Sequence, residues 1–497
     1  AKNSRYNDQT LDNSLRELNK RLPTLGGWPK LLDVYITLYN WDPDSPKSLN
    51  YLYWILRSSE KLGKTEQEKR DTIKAAKVEV PDEFIVKSAE EILSDAIIRN
   101  INDPRKENVE MLIGDLANRI ARKARLANRK TDGPKINAED EVTTLLKLKE
   151  GQSSLIAQAR GYYTRAEVAR LMRDEEKREE NLHRIATIFK AEELSPTILG
   201  TVGDYLLTKN DYEKADIYFQ YILDHFRSSD FADFGFAGKA EILLHQDKAK
   251  DAYNLCQEAI DNGILFSKEK EIVMTRSRAL LGLSDLVTSG KADASIIEIA
   301  KNINQSAKTF ADNKLKDAEK AASDTKEALA TKEAAKAKDV AKARADAAEA
   351  STKLATAKEQ VSQLEEAGRT LASGGGSADR VANETFLTSA TQGFTEISAN
   401  REWRGEATGF ALYYLGQVEE RRGKVNEAIN YYRRCFLAWK KYSNVTGKAY
   451  LRTAELENEK LRLPDKAKET LQDMLRADNP ASKSPEAAKA REMLRKL

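Results

Sequence analysis

Between residues 403 and 480 the chain alternates large and small residues at a spacing that only paired helices use. Leu412, Leu415, Gly416, Gly423, Ala428, Tyr432 and Cys435 carry the pattern. The large residues are expected to pack between two antiparallel helices. Gly416 and Ala428 fall where the backbones come too close for bulk, and Gly423 falls in the tight turn. A helix pair of this kind cannot bury its apolar face alone, so it must stack on neighbours. The same grammar runs through 196–262, first as Gly203, Asn210, Tyr212, Ala215, Phe219 and Ile222. It returns as Ala240, Leu243, Asp247, Ala252, Cys256 and Ala259. The alanines Ala215 and Ala252 are 37 positions apart, and Ala428 and Ala467 are 39 apart.

This order of small residue, turn, aromatic, alanine, aromatic and apolar residue resembles the tetratricopeptide repeat (TPR), whose usual period is about 34 residues. The longer spacing here makes the repeats irregular. The closing run from Leu471 through Asn479-Pro480 and Ser484-Pro485 to Met493-Leu494-Arg495-Lys496-Leu497 is similar to the last repeat and capping helix of bacterial cell-envelope TPR proteins. Such endings occur in the Tol–Pal coordinator and outer-membrane-assembly lipoprotein families. The resemblance covers roughly two fifths of the chain. It implies an all-α, irregular TPR-like α-solenoid that holds protein partners or copies of itself. It transfers no functional residue, because TPR signature positions are structural.

Composition agrees with an all-helical chain. Of 497 residues, 32% are charged and 40% hydrophobic, with only 11 Pro and 24 Gly. No sustained period-two pattern bounded by turn signals occurs. A formal net charge of +3 gives no global pull toward nucleic acid or membrane. No run reaches the roughly 18 apolar residues of a spanning helix. Two cysteines, Cys256 and Cys435, cannot make a disulfide framework and read as small buried hydrophobes. The polar sequence after Ala1 fits either a mature secreted chain or a tag-cleaved one. The resemblance to cell-envelope TPR proteins implies a periplasmic or cell-envelope-associated location, with the cytoplasm as the alternative.

Four segments are expected. Residues 1–135 form an N-terminal helical domain, for which degenerate repeats are one reading. Residues 136–290 hold a long helix followed by TPR-like repeats. Residues 291–377 form an arm rich in Ala, Lys and Glu, and 378–497 hold the C-terminal repeats with a capping helix. No Gly or Pro interrupts the arm between Asn313 and Ala367, and its residues are strong helix formers. One heptad runs through Leu315, Ala318, Ala322, Thr325 and Leu329; a second runs through Val340, Ala343, Ala347, Ala350, Leu354, Ala357, Val361 and Leu364. The two are four residues out of phase across Lys332–Asp339. That shift is either a stutter in one continuous coiled coil or the tip of an antiparallel hairpin. The missing turn residue favours continuity.

Candidate chemistry is sparse. Leu62-Gly63-Lys64-Thr65 has the end of a phosphate-binding loop, but Ser58 stands where the first glycine is required, and the segment leaves a helix. His183, His225 and His245 lie far apart, without ligands at metal spacing. No Ser-His-Asp arrangement, HExxH or nucleophile elbow appears. The expectation is a non-enzyme with no cofactor, metal or small-molecule substrate. Two surface features remain. Arg119, Arg122, Lys123, Arg125, Arg129 and Lys130 form a basic patch, with Arg122, Arg125 and Arg129 on one helical face. No aromatic residue interleaves with it, which disfavours single-strand binding. Near the C-terminus, Tyr432, Phe436 and Trp439 form a core stripe, leaving Tyr431, Arg434, Lys441 and Tyr442 to line a partner surface. The expected function is a non-catalytic scaffold for protein–protein contact or homo-oligomeric assembly. The alternative is an intracellular helical regulatory or nucleic-acid-associated protein that uses the basic patch.

Overall fold

The computed structural model describes residues 8–43, 47–63, 65–86, 89–103, 109–129, 134–148, 153–335 and 339–497. All regular structure among them is helical. The chain divides into two compact units, 1–238 and 239–497, and the division runs inside the segment 136–290.

The first unit opens with α1 (Asp8–Thr24), α2 (Trp28–Trp41), α3 (Ser48–Lys61), α4 (Glu66–Ala76), α5 (Asp82–Val86) and α6 (Ala89–Asn100). It continues with α7 (Val109–Arg129), α8 (Ala138–Leu145), α9 (Leu155–Met172), α10 (Glu175–Ile188), α11 (Pro196–Thr208) and α12 (Tyr212–His225). Consecutive helices pack as pairs: α2 on α3, α6 on α7, α9 on α10 and α11 on α12. Leu31, Leu32, Tyr35 and Ile36 are buried on α2, on the stripe that their helical spacing makes. Tyr35 stacks on Trp54, with ring centroids 5.8 Å apart.

The long helix expected from 137 onward is three helices, α8, α9 and α10. The break after Met172 is made without glycine or proline. Arg173 takes a left-handed conformation (φ 63°), and the Asp174 carboxylate caps α10 by accepting from the Lys177 N–H at 3.1 Å. One cap residue and one left-handed residue are enough to turn the chain.

The device recurs. Arg173, Asn210, Asp247, Gly423 and Arg462 all have positive φ, and each stands two residues before the start of the next helix. Asn and Asp tolerate this region better than most residues, and Gly adopts it freely.

After α13 (Asp233–His245), which carries the division, the second unit contains α14 (Ala249–Asp261), α15 (Glu269–Thr288), α16 (Ala294–Ala334), α17 (Val340–Ser373) and α18 (Gly376–Ala399). It closes with α19 (Glu406–Arg421), α20 (Val425–Ala438), α21 (Ser443–Glu459), α22 (Pro464–Leu475) and α23 (Ala487–Lys496). Packing runs α14 on α15, α15 on α18, then in order from α18 to α23. The partner of α15 is thus α18, a hundred residues on. Ser284 Oγ donates to Asn383 Oδ1 at 2.5 Å, and Gly393 leaves room for Ser277, so the two helices run antiparallel. The arm is an insertion in the turn of this helix pair, and within the second unit α14 and α15 before it and α18 to α23 after it form one stack.

The arm itself is a hairpin, not one continuous helix. α16 and α17 pack antiparallel, and Asn304 Nδ2 donates to the Leu364 carbonyl at 3.0 Å. Ion pairs Lys308–Glu365, Lys358–Glu319 and Arg344–Glu333 follow along the seam at 3.4, 4.0 and 2.7 Å. Both heptads face this seam. The four-residue shift at Lys332–Asp339 is the tip; residues 336–338 of it lie outside the described residues. Folding back lets each alanine stripe cover the other, which a straight helix could do only with a second chain. With roughly 1.5 Å per residue, α16 is about 60 Å long.

Candidate functional site

The C-terminal repeats hold the better-formed site. α20 is amphipathic, with Ala428, Ile429, Tyr432, Cys435 and Phe436 buried. A Cβ on Gly416 would overlap the Tyr432 ring. Gly416 therefore makes room for an aromatic residue rather than for Ala428. Gly203 does the same for Phe219, sixteen positions on, where a Cβ would come within 2.6 Å of the ring. Tyr432 Oη donates to the Glu420 carboxylate, which also accepts two bonds of 3.0 Å from Arg452 Nε. Burial, with Glu420 beside it, pushes the Tyr432 hydroxyl well above its usual range. The Cys435 thiol, donating to the Gly409 carbonyl at 3.3 Å, is pushed up by burial to about 12.

Past its last turn, α20 ends beside the end of α18 and the start of α19. Between these three helix ends lies a cavity of about 450 Å³. Its wall is formed by Ser398–Arg401, Arg404, Thr408, Leu412, Arg434 and Leu437–Trp439. Leu437 is 64% exposed. The Arg404 guanidinium carbon lies 5.8 Å from the centroid of the Trp439 ring. No acidic residue is among the lining groups. Among the described residues, Arg401, Arg404 and Arg434 have no ion pair. Arg433, next to Arg434 on α20, pairs with Glu457 at 2.7 Å.

Of the four residues that the sequence offered as a partner surface, only Arg434 lines this cavity. Tyr431 is half-buried beneath it, 5.3 Å from its guanidinium. Lys441 sits over Tyr442 with Nζ 4.8 Å from the ring centroid, and Tyr442 touches the edge of the site through Trp439, 6.2 Å between centroids. Trp439 is not a core residue like Tyr432 and Phe436; it is half-buried, because it caps α20 beyond the helical stripe. Arg401, Arg404 and Leu437 were missed. The signal for them was the run Arg401-Glu402-Trp403-Arg404 in a helix break, which packing with α20 turns into a wall.

The basic patch is thinner than its sequence. Arg119 is paired with Glu60 and Lys123 with Glu141, and Lys130 lies outside the described residues. Arg122, Arg125 and Arg129 share an exposed face of α7, and Arg125 Nε donates to the Ala121 carbonyl at 3.2 Å. Thr65 is not part of a phosphate loop; with Glu68 it forms a capping box on α4. Among the described residues no group of three His, Cys, Asp or Glu could hold a metal ion, and no helix is long and apolar enough to cross a membrane.

Sequence also missed a buried charge cluster in the first unit. Arg160, 0% exposed, donates from Nε to Glu110 Oε1 at 2.8 Å and from one terminal nitrogen to the carbonyls of Asn100, Ile101 and Asp103 at 2.9–3.0 Å. Ser195 Oγ donates to the same Glu110 oxygen at 2.8 Å. The cluster ties α7, α9, the end of α6 and the cap of α11 together, and it has no open face for a substrate.

No family model matches the chain, and no curated protein matches it. Among solved structures, a monomeric mutant of IFIT1 with Gppp-AAAA aligns over 95% of both chains at 12% identity and a TM-score of 0.30. A circular tandem repeat protein with novel repeat topology covers 99% of this chain and 94% of its own, at 13% identity and a TM-score of 0.16. At those scores neither bears on function. The chain's own geometry makes it an all-α, TPR-like helical repeat protein.

Proposed function

We propose that the protein is a non-catalytic scaffold that holds protein partners or copies of itself and works in a bacterial cell envelope. The arm is the observation that carries the scaffold reading. From Phe310 to Lys358 its described residues bury only Ala311, Ala343 and Ala350. Alanine seams of that size contribute little core, at about 25 cal/mol per Å² of apolar area. Below Phe310, by contrast, Ile296, Ile299, Ala300 and Asn304 are buried at the root. Such an element serves reach or association better than the stability of the repeats. The envelope placement is supported by the closing run from Leu471 to Leu497 alone, and fractionation of source cells checks it.

The test replaces Lys314–Gln363 with a short Gly-Ser linker and compares light scattering and co-purification with the full chain. The variant is expected to keep its helical signal and melting profile while losing higher-mass species or the retained partner. A full chain that is monomeric and retains nothing overturns the proposal. So does a variant that unfolds, because the arm would then be part of the core.

A further inference from the structure

We infer that the cavity between the ends of α18, α19 and α20 is a docking site for an acidic polypeptide segment that carries an aliphatic side chain. The inference rests on the scaffold reading in one respect only, that the occupant is a polypeptide.

Charge selects the first half of this chemistry. Several arginines close to the cavity in sequence are neutralised at short range: Arg421 by Asp285 at 2.8 Å, Arg422 by Glu384 at 2.7 Å, and Arg433 by Glu457 at 2.7 Å. Arg401, Arg404 and Arg434 have no ion pair among the described residues, and all three line one cavity. All three are exposed, and no carboxylate lines the wall. Glu402 and Glu406 follow in the chain but are not among the lining residues. A planar guanidinium presents a fork of donors that fits a carboxylate in bidentate fashion. Three such forks around one cavity favour an occupant with several carboxylates.

Shape selects the second half. Leu437 is largely exposed at the cavity, with Leu412, Ala399 and Ala438 beside it. The volume falls in the range of roughly 300–1,000 Å³ that suits a few side chains. A nucleic acid would share the charge preference, but it would use aromatic faces for stacking. The one aromatic ring in the wall, Trp439, already has Arg404 over it and Tyr442 beside it. An aliphatic side chain on Leu437, flanked by carboxylates on the arginines, uses every group the wall presents.

The test uses the full chain and a fluorescent peptide, Glu-Asp-Glu-Leu-Leu-Glu-Asp-Glu, read by anisotropy. Three competitors accompany it: the same peptide with Ser for Leu, a Lys-for-acid version, and a single-stranded oligonucleotide of equal charge. Arg404→Ala/Arg434→Ala and Leu437→Ser change only exposed side chains, and circular dichroism confirms that each variant is folded. The peptide is expected to bind, more weakly at high salt, and to lose about tenfold or more in affinity with either variant. The Ser and Lys versions should compete at least about tenfold less well. No binding, or binding indifferent to both variants, overturns the assignment. Equal competition by the oligonucleotide or the Ser peptide overturns it in favour of a general anion site. If the arm experiment still shows a retained partner after failure here, the scaffold stands and only this site falls.

Discussion

Single residues in this protein do two kinds of work, making room and holding charge. Gly416 makes room: the Tyr432 ring occupies the space that a side chain would need. Gly416→Val should therefore destabilise the C-terminal repeats by about 1–3 kcal/mol through overpacking, read as a lower denaturant midpoint with an unchanged slope. Arg160 holds charge, and it also satisfies three backbone carbonyls at the end of α6. Arg160→Met leaves Glu110 charged and unpaired in the interior, at a cost of about 3–5 kcal/mol. Glu110→Gln strands the guanidinium instead, but the three carbonyls still hold it and an acceptor remains for both Arg160 and Ser195, so it should cost less, about 1–3 kcal/mol. Chemical denaturation of both variants checks the order; the reverse order would mean that the carbonyl contacts contribute little.

Elements are coupled through ion pairs between neighbouring helices. Glu455 on α21 accepts from Lys489 on α23 and from Arg452 of its own helix, both at 2.8 Å. Burial pushes its carboxyl up, but these two cations reverse that and hold it below the usual 4.5. A depressed carboxylate contributes stability that is present above its unfolded pKa and lost as pH falls through the folded one. Thermal melts should therefore show the C-terminal helices loosening below about pH 4.5, and Glu455→Gln should flatten that dependence. The helix pairs themselves were legible in sequence because Ala215, Phe219, Ala252, Ala428 and Tyr432 report burial at fixed spacing. The break at Arg173 was not, because arginine carries no turn preference and its left-handed conformation follows from the packing of α9 on α10. The arm's fold-back was half legible. Its phase shift marked the tip, but nothing in the residues says whether the alanine stripes meet each other or another chain. The cavity was least legible, since Arg401 and Arg434 become neighbours only when α18 and α20 end at the same place.

At the scale of the whole chain, the two thiols report on integrity in each half of the second unit. Cys256 and Cys435 are both fully buried, and burial pushes each up to about 12. Neither should react with a thiol reagent at neutral pH in the folded protein, and both should react once denaturant unfolds it. Fast labelling of one thiol under native conditions would show that its repeat opens separately. The arm's place within the turn of the α15–α18 pair has a consequence for evolution and engineering alike. The stack closes beneath the hairpin through α15 and α18, so the hairpin's length is free of the stack's geometry. Seven residues added to each of α16 and α17 would carry the tip about 10 Å further, leaving every repeat where it was. A lineage could thus retune how far the tip stands from the repeats by paired heptad insertions, with the distance written in the gene as a count of sevens.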